Sequence, residues 1–288
     1  MQFVISGAFQ PPGHLIQIAI AAEEAGYEAL TFSDHVVYPE TLDTPYPYTE
    51  DGVRRYDETS QFPDPWVVAG ALSAVTTRLR FTTNAFVLPL RNPFVVAKQL
   101  ATAAAMSNNR ITLTIGVGWS EVEFDLAGQE FKRRGKRADE MLELMRLLWS
   151  GDWVEFEGEF YQCEKLKMTP PVPTEPIPVW VGGISDFALR RAARNDGWLT
   201  DLQTSADIVE SIGRIRGYRK ELGRSEDCAV LASANDAGDV DAYRRLGDGG
   251  VTHILTMPWA LYHGITDDID QKVDGIRRYA EDVIQKMA

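Results

Sequence analysis

Read in order, this chain places a short apolar run before an amphipathic helical stripe about eight times in 288 residues, which predicts an α/β fold: a single (β/α)8 TIM barrel. Three observations carry that expectation. The apolar runs are continuous rather than alternating, as in parallel strands covered on both faces. Their rhythm does not break into two halves, and eight units favour a closed barrel over an open doubly wound sheet. The length suits one barrel, which uses about 250 residues, with modest insertions. No repeat of roughly 20–50 residues is visible, which argues against a solenoid.

The elements follow in order. Residues 2–6 (QFVIS) read as a buried strand ended by Gly7. Leu15, Ile18, Ala19, Ala22 and Ala25 recur at helical spacing, and Gly26 stands where a C-cap belongs. Strands are expected at 29–33, 79–85, 111–117, 177–181, 198–200, 229–234 and 251–256. Helices are expected at 66–74, 95–106, 136–149, 187–195, 206–222, 240–246 and 269–287. Two insertions interrupt the rhythm. The segment from Val37 to Pro63, with Tyr38, Tyr46, Tyr48 and Tyr56, is too long for a routine loop and reads as a lid, binding loop or dimer contact. VEFEGEFY at 154–161 alternates around Glu157-Gly158 and reads as a β-hairpin. The five prolines of 169–178 make an extended connector, and strand signals resume directly after it, so residues 1–288 read as one domain.

Composition narrows the function. A net charge of -13 argues against nucleic acid or an anionic membrane as partner, though a small phosphorylated coenzyme remains compatible. Two cysteines, Cys163 and Cys228, are too few for a disulfide framework and suit a reducing compartment. The opening MQFVISGAFQPPGH has no basic start or long apolar run, and no stretch nears the roughly 18 apolar residues of a membrane span, so a cytoplasmic protein is expected. The four histidines (14, 35, 253, 263) lack metal spacing, and G-x-S-x-G, Walker A and G-x-G-x-x-G are missing, so no metal site, hydrolase triad or nucleotide loop is expected.

In a barrel, chemistry gathers where strands end. Asp34-His35 closes the second strand: histidine titrates near neutrality, and an adjacent carboxylate can bond a coenzyme or set the tautomer, or merely cap a turn. At 181–198, Gly182-Gly183 leads into a helix whose free N–H groups could hold phosphate, with Ser185 as cap and donor; a tight turn needing glycine is the plainer reading. GVGWSEVEF at 116–124 offers glycines for close approach, Trp119 for stacking, and Glu121 and Glu123 nearby. Arg91, in LPLRNP, reads as a structural residue able to pair with a carboxylate or carbonyl.

The order of these motifs is more specific than any one of them. SDH at 33–35, LPLRNP at 88–93, AKQLAT at 97–102, GVGW and EVEF at 116–124, DEMLELMRLLW at 139–149, FEGEFY at 156–161, PIPVWVGG at 176–183 and NDGW at 195–198 together resemble the luciferase-like oxidoreductases. The likeness is strongest to the branch using the deazaflavin coenzyme F-420, and it thins after about residue 200. It implies a barrel, commonly dimeric, with the ring across the strand C-termini. Carried over, Asp34 would bond the deazaflavin, His35 would sit near its reactive C5, and a cis peptide at Asn84–Ala85 would support the ring. Gly118, Trp119 and Ser120 would line it; Glu121 falls where one branch keeps a catalytic acid. Gly182, Gly183, Ile184 and Ser185 would hold the phosphate. Trp and Ser replace smaller residues of the sugar-phosphate branch, which speaks against a sugar phosphate. The implied reaction is hydride transfer between F-420 and a small organic substrate, with His35 or Glu121 handling the proton. An FMN-dependent monooxygenase is the alternative; a non-catalytic flavin-binding barrel and a metal-dependent hydrolase are less favoured. The substrate pocket is expected from 37–63, residues near Phe9, and the loops after strands seven and eight.

Overall fold

The computed structural model describes residues 1–42 and 44–287. Its parallel sheet contains β1 (Gln2–Ser6), β2 (Ala29–Phe32), β3 (Arg80–Thr83), β4 (Phe86–Val87), β5 (Leu113–Gly116), β8 (Val179–Gly182), β9 (Gly197–Gln203), β10 (Ala229–Ala234) and β11 (His253–Thr256). Neighbours run β3-β2-β1-β11-β10-β9-β8-β5-β4. The two edges meet: Phe81 of β3 bridges Ile111 just ahead of β5, donating its N–H to Arg110 O at 2.8 Å while Thr112 N–H returns to Phe81 O at 2.9 Å. Nine strand segments thus fill eight barrel positions, because a cis Asn84–Ala85 peptide divides the third into β3, which pairs with β2, and β4, which pairs with β5.

Helices α1 (Pro12–Glu24), α2 (Pro65–Ser73), α3 (Pro93–Ser107), α5 (Arg134–Trp149), α6 (Asp186–Arg194), α7 (Ser205–Glu221), α8 (Val240–Asp248) and α10 (Ile269–Tyr279) clothe the barrel. Side-chain caps start several of them: Asp64 accepts from Trp66 N–H and Val67 N–H, and Asn92 from Phe94 N–H and Val95 N–H. Most of the core lies between sheet and helices, with Phe3, Ile5, Leu30, Phe81, Leu113 and Ile115 facing outward into it. Inside the barrel a smaller cluster of Val4, Ala29, Trp180, Leu199, Leu231 and Leu255 forms a plug. Strand side chains repeat every second residue, so Ser6, Thr31 and Gly182 lie one step above Val4, Ala29 and Trp180 on the same inner face. The lining therefore turns small and polar toward the strand C-termini.

Three expectations need correction. The hairpin at 154–161 reaches further: β6 (Trp153–Glu157) pairs antiparallel with β7 (Gln162–Lys167), and 158–161 is its loop, held by the Glu140 carboxylate on the N–H groups of Glu159, Phe160 and Tyr161. Two short helices escaped the periodicity reading, α4 (Glu121–Leu126) and α9 (Pro258–His263). The closing helix is α-helical only to Tyr279, continuing through a π-helical stretch, Ala280–Ile284, into α11 (Gln285–Met287).

At the other end of the barrel, Glu23 on the last turn of α1 holds the approach to β3. Its carboxylate accepts the N–H groups of Thr77, Arg78 and Leu79 at 2.6–3.0 Å and the Thr77 hydroxyl at 3.1 Å. Burial opposes its charge, but the N–H groups outweigh it and bring the pKa down from 4.5 to about 2. A carboxyl depressed in the folded state stabilises above its unfolded pKa and loses that contribution as the pH falls. Glu23→Gln is expected to cost about 1–2 kcal/mol at pH 7, discounted for partial exposure, in urea unfolding. The gap from wild type should narrow as the pH drops from 4.5 toward 2.

Candidate active site at the barrel rim

The strand C-termini bring together four pieces of chain. The first follows β2. Asp34 is buried, and Arg91 grips it as a fork, Nη1 on Oδ2 at 2.6 Å and Nη2 on Oδ1 at 2.7 Å; Val87 N–H adds a bond to Oδ2 at 2.8 Å. Both carboxylate oxygens are thus engaged within the protein. Asp34, expected on the ring, ties the end of β2 to the chain just past the cis peptide. Arg91 also donates to Val87 O at 3.1 Å and lies over the Phe86 ring at 4.2 Å, the structural role its motif suggested.

The next residue, His35, presents Nδ1 to Glu123 Oε2 at 2.9 Å, and Glu123 Oε1 accepts Val36 N–H at 2.8 Å. Glu123 is 5% exposed, so this carboxylate is desolvated and held on both oxygens. A carboxylate accepts only, which assigns the proton to His35 Nδ1 and leaves Nε2 as the basic nitrogen. The local fold explains which acid meets the histidine. Side chains two apart on a helix point about 200° from one another. On α4, Glu123 turns inward beside buried Phe124, and Glu121 is exposed to solvent. The structure therefore does not bring Glu121 to His35; the partner is Glu123, which the sequence reading noted but did not select.

Aromatic rings surround this imidazole. Phe62 and Trp119 meet it edge-on, with centroids at 5.1 and 5.8 Å, and Tyr56 lies 5.1 Å away with its hydroxyl 3.4 Å from Nε2. Behind them Phe9 packs on Tyr56 and Phe62, and Tyr46 on Trp119. Most of these rings come from the 37–63 segment, in which the one ladder contact among the described residues is an isolated bridge between Phe9 and Gln61. Arg55 ties it to the far side of the rim, donating to Asp201 Oδ2 at 2.8 Å.

The third piece is a floor almost without side chains. A Cβ built on Gly116 would lie 3.5 Å from Ala85 Cβ, and one on Gly182 would lie 3.3 Å from the same atom. The cis peptide, the end of β5 and the end of β8 are therefore neighbours, and β5 runs on through Gly118 to Trp119 at the imidazole. Gly118 takes φ +79, and a Cβ there would strike Val87 and Phe124 at 2.6 and 2.7 Å; Arg134 Nε binds its carbonyl at 2.9 Å. Ser120 is buried at the start of α4.

The fourth piece is the start of α6. Gly183 has φ +117, its carbonyl accepts Trp198 Nε1 at 2.8 Å, and its N–H reaches Leu199 O at 3.3 Å. Ser185 caps the helix by accepting Ala188 N–H at 3.3 Å. Ile184 and Ser185 are exposed, and the first N–H groups of the helix face solvent with no carbonyl ahead of them. The structure thus places every sequence-selected residue at one end of the barrel. Among the described residues, no group of three or more His, Cys, Asp or Glu side chains is placed to hold a metal ion. A cleft of about 660 Å³ lies at the opposite end, lined by Arg146, Trp149, Pro176, Arg194, Asp196 and Arg224. It is remote from the strand C-termini, and Arg146 and Arg224 are already bonded to Asn195.

With this geometry in place, likenesses to known proteins gain a physical footing. The chain matches the luciferase-like monooxygenase family over residues 2–237. It is 34% identical, across 91% of its own length and 74% of the relative's, to an F420-dependent glucose-6-phosphate dehydrogenase of Nakamurella multipartita. Its backbone is similar to the monooxygenase RslO1 from Streptomyces bottropensis (TM-score 0.77, 18% identity, all of both chains). It is likewise similar to the coenzyme F420-dependent tetrahydromethanopterin reductase from Methanopyrus kandleri (TM-score 0.76, 16% identity, 100% and 99% of the two chains). At those identities the two structures show the fold.

Proposed function

Because this chain belongs to the luciferase-like monooxygenase family, we propose that it is a coenzyme F-420-dependent oxidoreductase acting on a small organic molecule. The observation that carries the reading is the bare floor of Ala85, Gly116 and Gly182 beside an imidazole whose outer nitrogen carries no proton and faces the Tyr56 hydroxyl. A flat tricycle needs such a surface, which a single Cβ at either glycine would begin to fill. The naming of the 34%-identical relative favours F-420 over FMN.

The residues present fit that group. Asn84, Ala85, Gly118, Trp119 and Ser120 would border the ring, with Asp34 fixing the loop behind it. Ile184 and Ser185 would meet its phosphate through backbone N–H groups and the positive end of α6, with Gly182 and Gly183, whose own N–H groups serve the sheet, giving the bare backbone that lets it approach. When bound, the deazaflavin supplies a carbon that accepts or gives a hydride. The protein's own work is to hold the substrate over that carbon, to keep water out with the aromatic segment, and to move one proton at His35 Nε2. Glu123 holds the Nδ1 proton and so presents Nε2 as the nitrogen that receives one.

FMN with molecular oxygen is the second reading, favoured by the family's description. Titrating the protein with F-420 and with FMN, followed by absorbance, separates the two: saturable perturbation of the F-420 spectrum is expected, and binding of FMN alone would move the assignment to a monooxygenase. We propose further that the protein is a cytoplasmic homodimer with no nucleic-acid or membrane partner; among the described residues no helix is long and apolar enough to cross a membrane.

A further inference from the structure

Helix α10 carries a lysine where a cation is poorly placed. Lys272 is 1% exposed, and the partners of its ammonium are uncharged: Nζ donates to Gln10 Oε1 at 2.6 Å and to His14 Nδ1 at 3.2 Å. The residue stands in the first turn of α10 and reaches the first turn of α1, and both helix starts are positive ends. Burial pushes its pKa down, and the Asp267 charge offsets part of that. An apolar side chain of similar length would avoid these costs. What the ammonium holds explains the lysine.

It holds the loop after β1. An ammonium only donates and a carbonyl only accepts, so buried Gln10 has one orientation, with Oε1 on Lys272 and Nε2 donating to Ala8 O at 2.9 Å. That bracket spans Phe9, whose φ of +63 lies in the left-handed region few non-glycine residues occupy. Phe9 in turn stacks on Tyr56 at 6.2 Å, meets Phe62 edge-on at 5.4 Å, and bridges Gln61 through its backbone. Tyr56 and Phe62 are the rings whose centroids lie 5.1 Å from the His35 imidazole.

We propose that Lys272 is a positioning residue for the reaction at the rim: through Gln10 it fixes Phe9 in its left-handed turn, and Phe9 sets Tyr56 and Phe62 around His35. This rests on His35 as the proton-handling group of the proposed function, although the chain of contacts itself involves no coenzyme. The same ammonium fastens His14, so α10 and α1 are joined to the loop at one point. Sequence reading had no access to this link, since Lys272 and Gln10 are 262 positions apart.

The test uses two variants without coenzyme. Lys272→Met removes the donor and keeps the length of the side chain. Gln10→Glu gives Lys272 a carboxylate but turns a lone pair toward Ala8 O, so it releases the bracket while adding an ion pair. In ¹⁵N-histidine-labelled protein both variants should shift or broaden the His35 resonances, which Lys272 does not touch, and leave those of His253 in place. Diethyl pyrocarbonate, which acylates an unprotonated imidazole, should modify His35 about threefold faster or more in either variant as its ring cover loosens, read by peptide mass mapping against His253. Melting temperatures should stay near that of the wild type; if Lys272→Met fails to fold, Gln10→Glu decides. Folded variants with unmoved His35 resonances and an unchanged modification rate would overturn the proposal, as would equal changes at His253. A wild type that binds no F-420, beside variants that show both effects, supports the positioning and removes the coenzyme reading.

Discussion

His35→Ala is expected to lower turnover by about 10²–10⁴-fold, the usual contribution of a positioned general acid–base. Coenzyme affinity should change little, because the floor and the α6 start are backbone features on other strands. The size of the loss follows from how completely the imidazole is specified. One nitrogen is locked by a buried carboxylate at 2.9 Å, and the other faces a single hydroxyl. Alanine removes the only imidazole in this aromatic enclosure and leaves Glu123 with one partner, the Val36 N–H. Measuring kcat beside an absorbance-derived Kd separates chemistry from binding; an unchanged kcat would take His35 out of the mechanism.

The largest effect on stability is expected at Asp34. Removing one member of a buried ion pair strands the other, at a typical cost of about 3–5 kcal/mol. The Arg91 side chain is 21% exposed, so Asp34→Ala should fall at the lower end of that range in chemical denaturation. It should also weaken coenzyme binding, because Val87 N–H loses its anchor where the chain leaves the cis peptide. Replacing both Asp34 and Arg91 by leucine should recover part of the stability, since no charge is then left unpaired, but not the binding. Full recovery of both would mean the fork does not shape the rim.

The barrel was legible because its signals are local. Eight continuous apolar runs mark the strands and a period of 3.6 marks their helices, and the strand ends that form the rim follow from the strands. What the sequence hid was either short or distant. Helix α4 has six residues, too few to establish a period, and without its axis Glu121 and Glu123 are equivalent. The second hairpin strand, Gln162–Lys167, is mostly exposed and carries few apolar residues to alternate. The Asp34–Arg91 fork spans 57 positions and the His35–Glu123 pair 88, and neither leaves a trace in composition. The aromatic enclosure depends on a segment whose course is set by ring packing rather than by a backbone ladder. Tyrosine content pointed to a lid or a dimer contact there, but not to which ring faces the histidine.

Coenzyme titration of wild type beside Gly116→Val asks most directly whether a flat ring lies against Ala85, Gly116 and Gly182. The new side chain has ordinary room at its base, 3.5 Å from Ala85 Cβ, so the variant should stay folded while its methyl groups rise into the ring's place. Saturable F-420 binding by wild type, with at least a tenfold loss in a variant of near-normal melting temperature, is the expected result. Equal affinity in the two proteins would place the ring elsewhere and contradict the account.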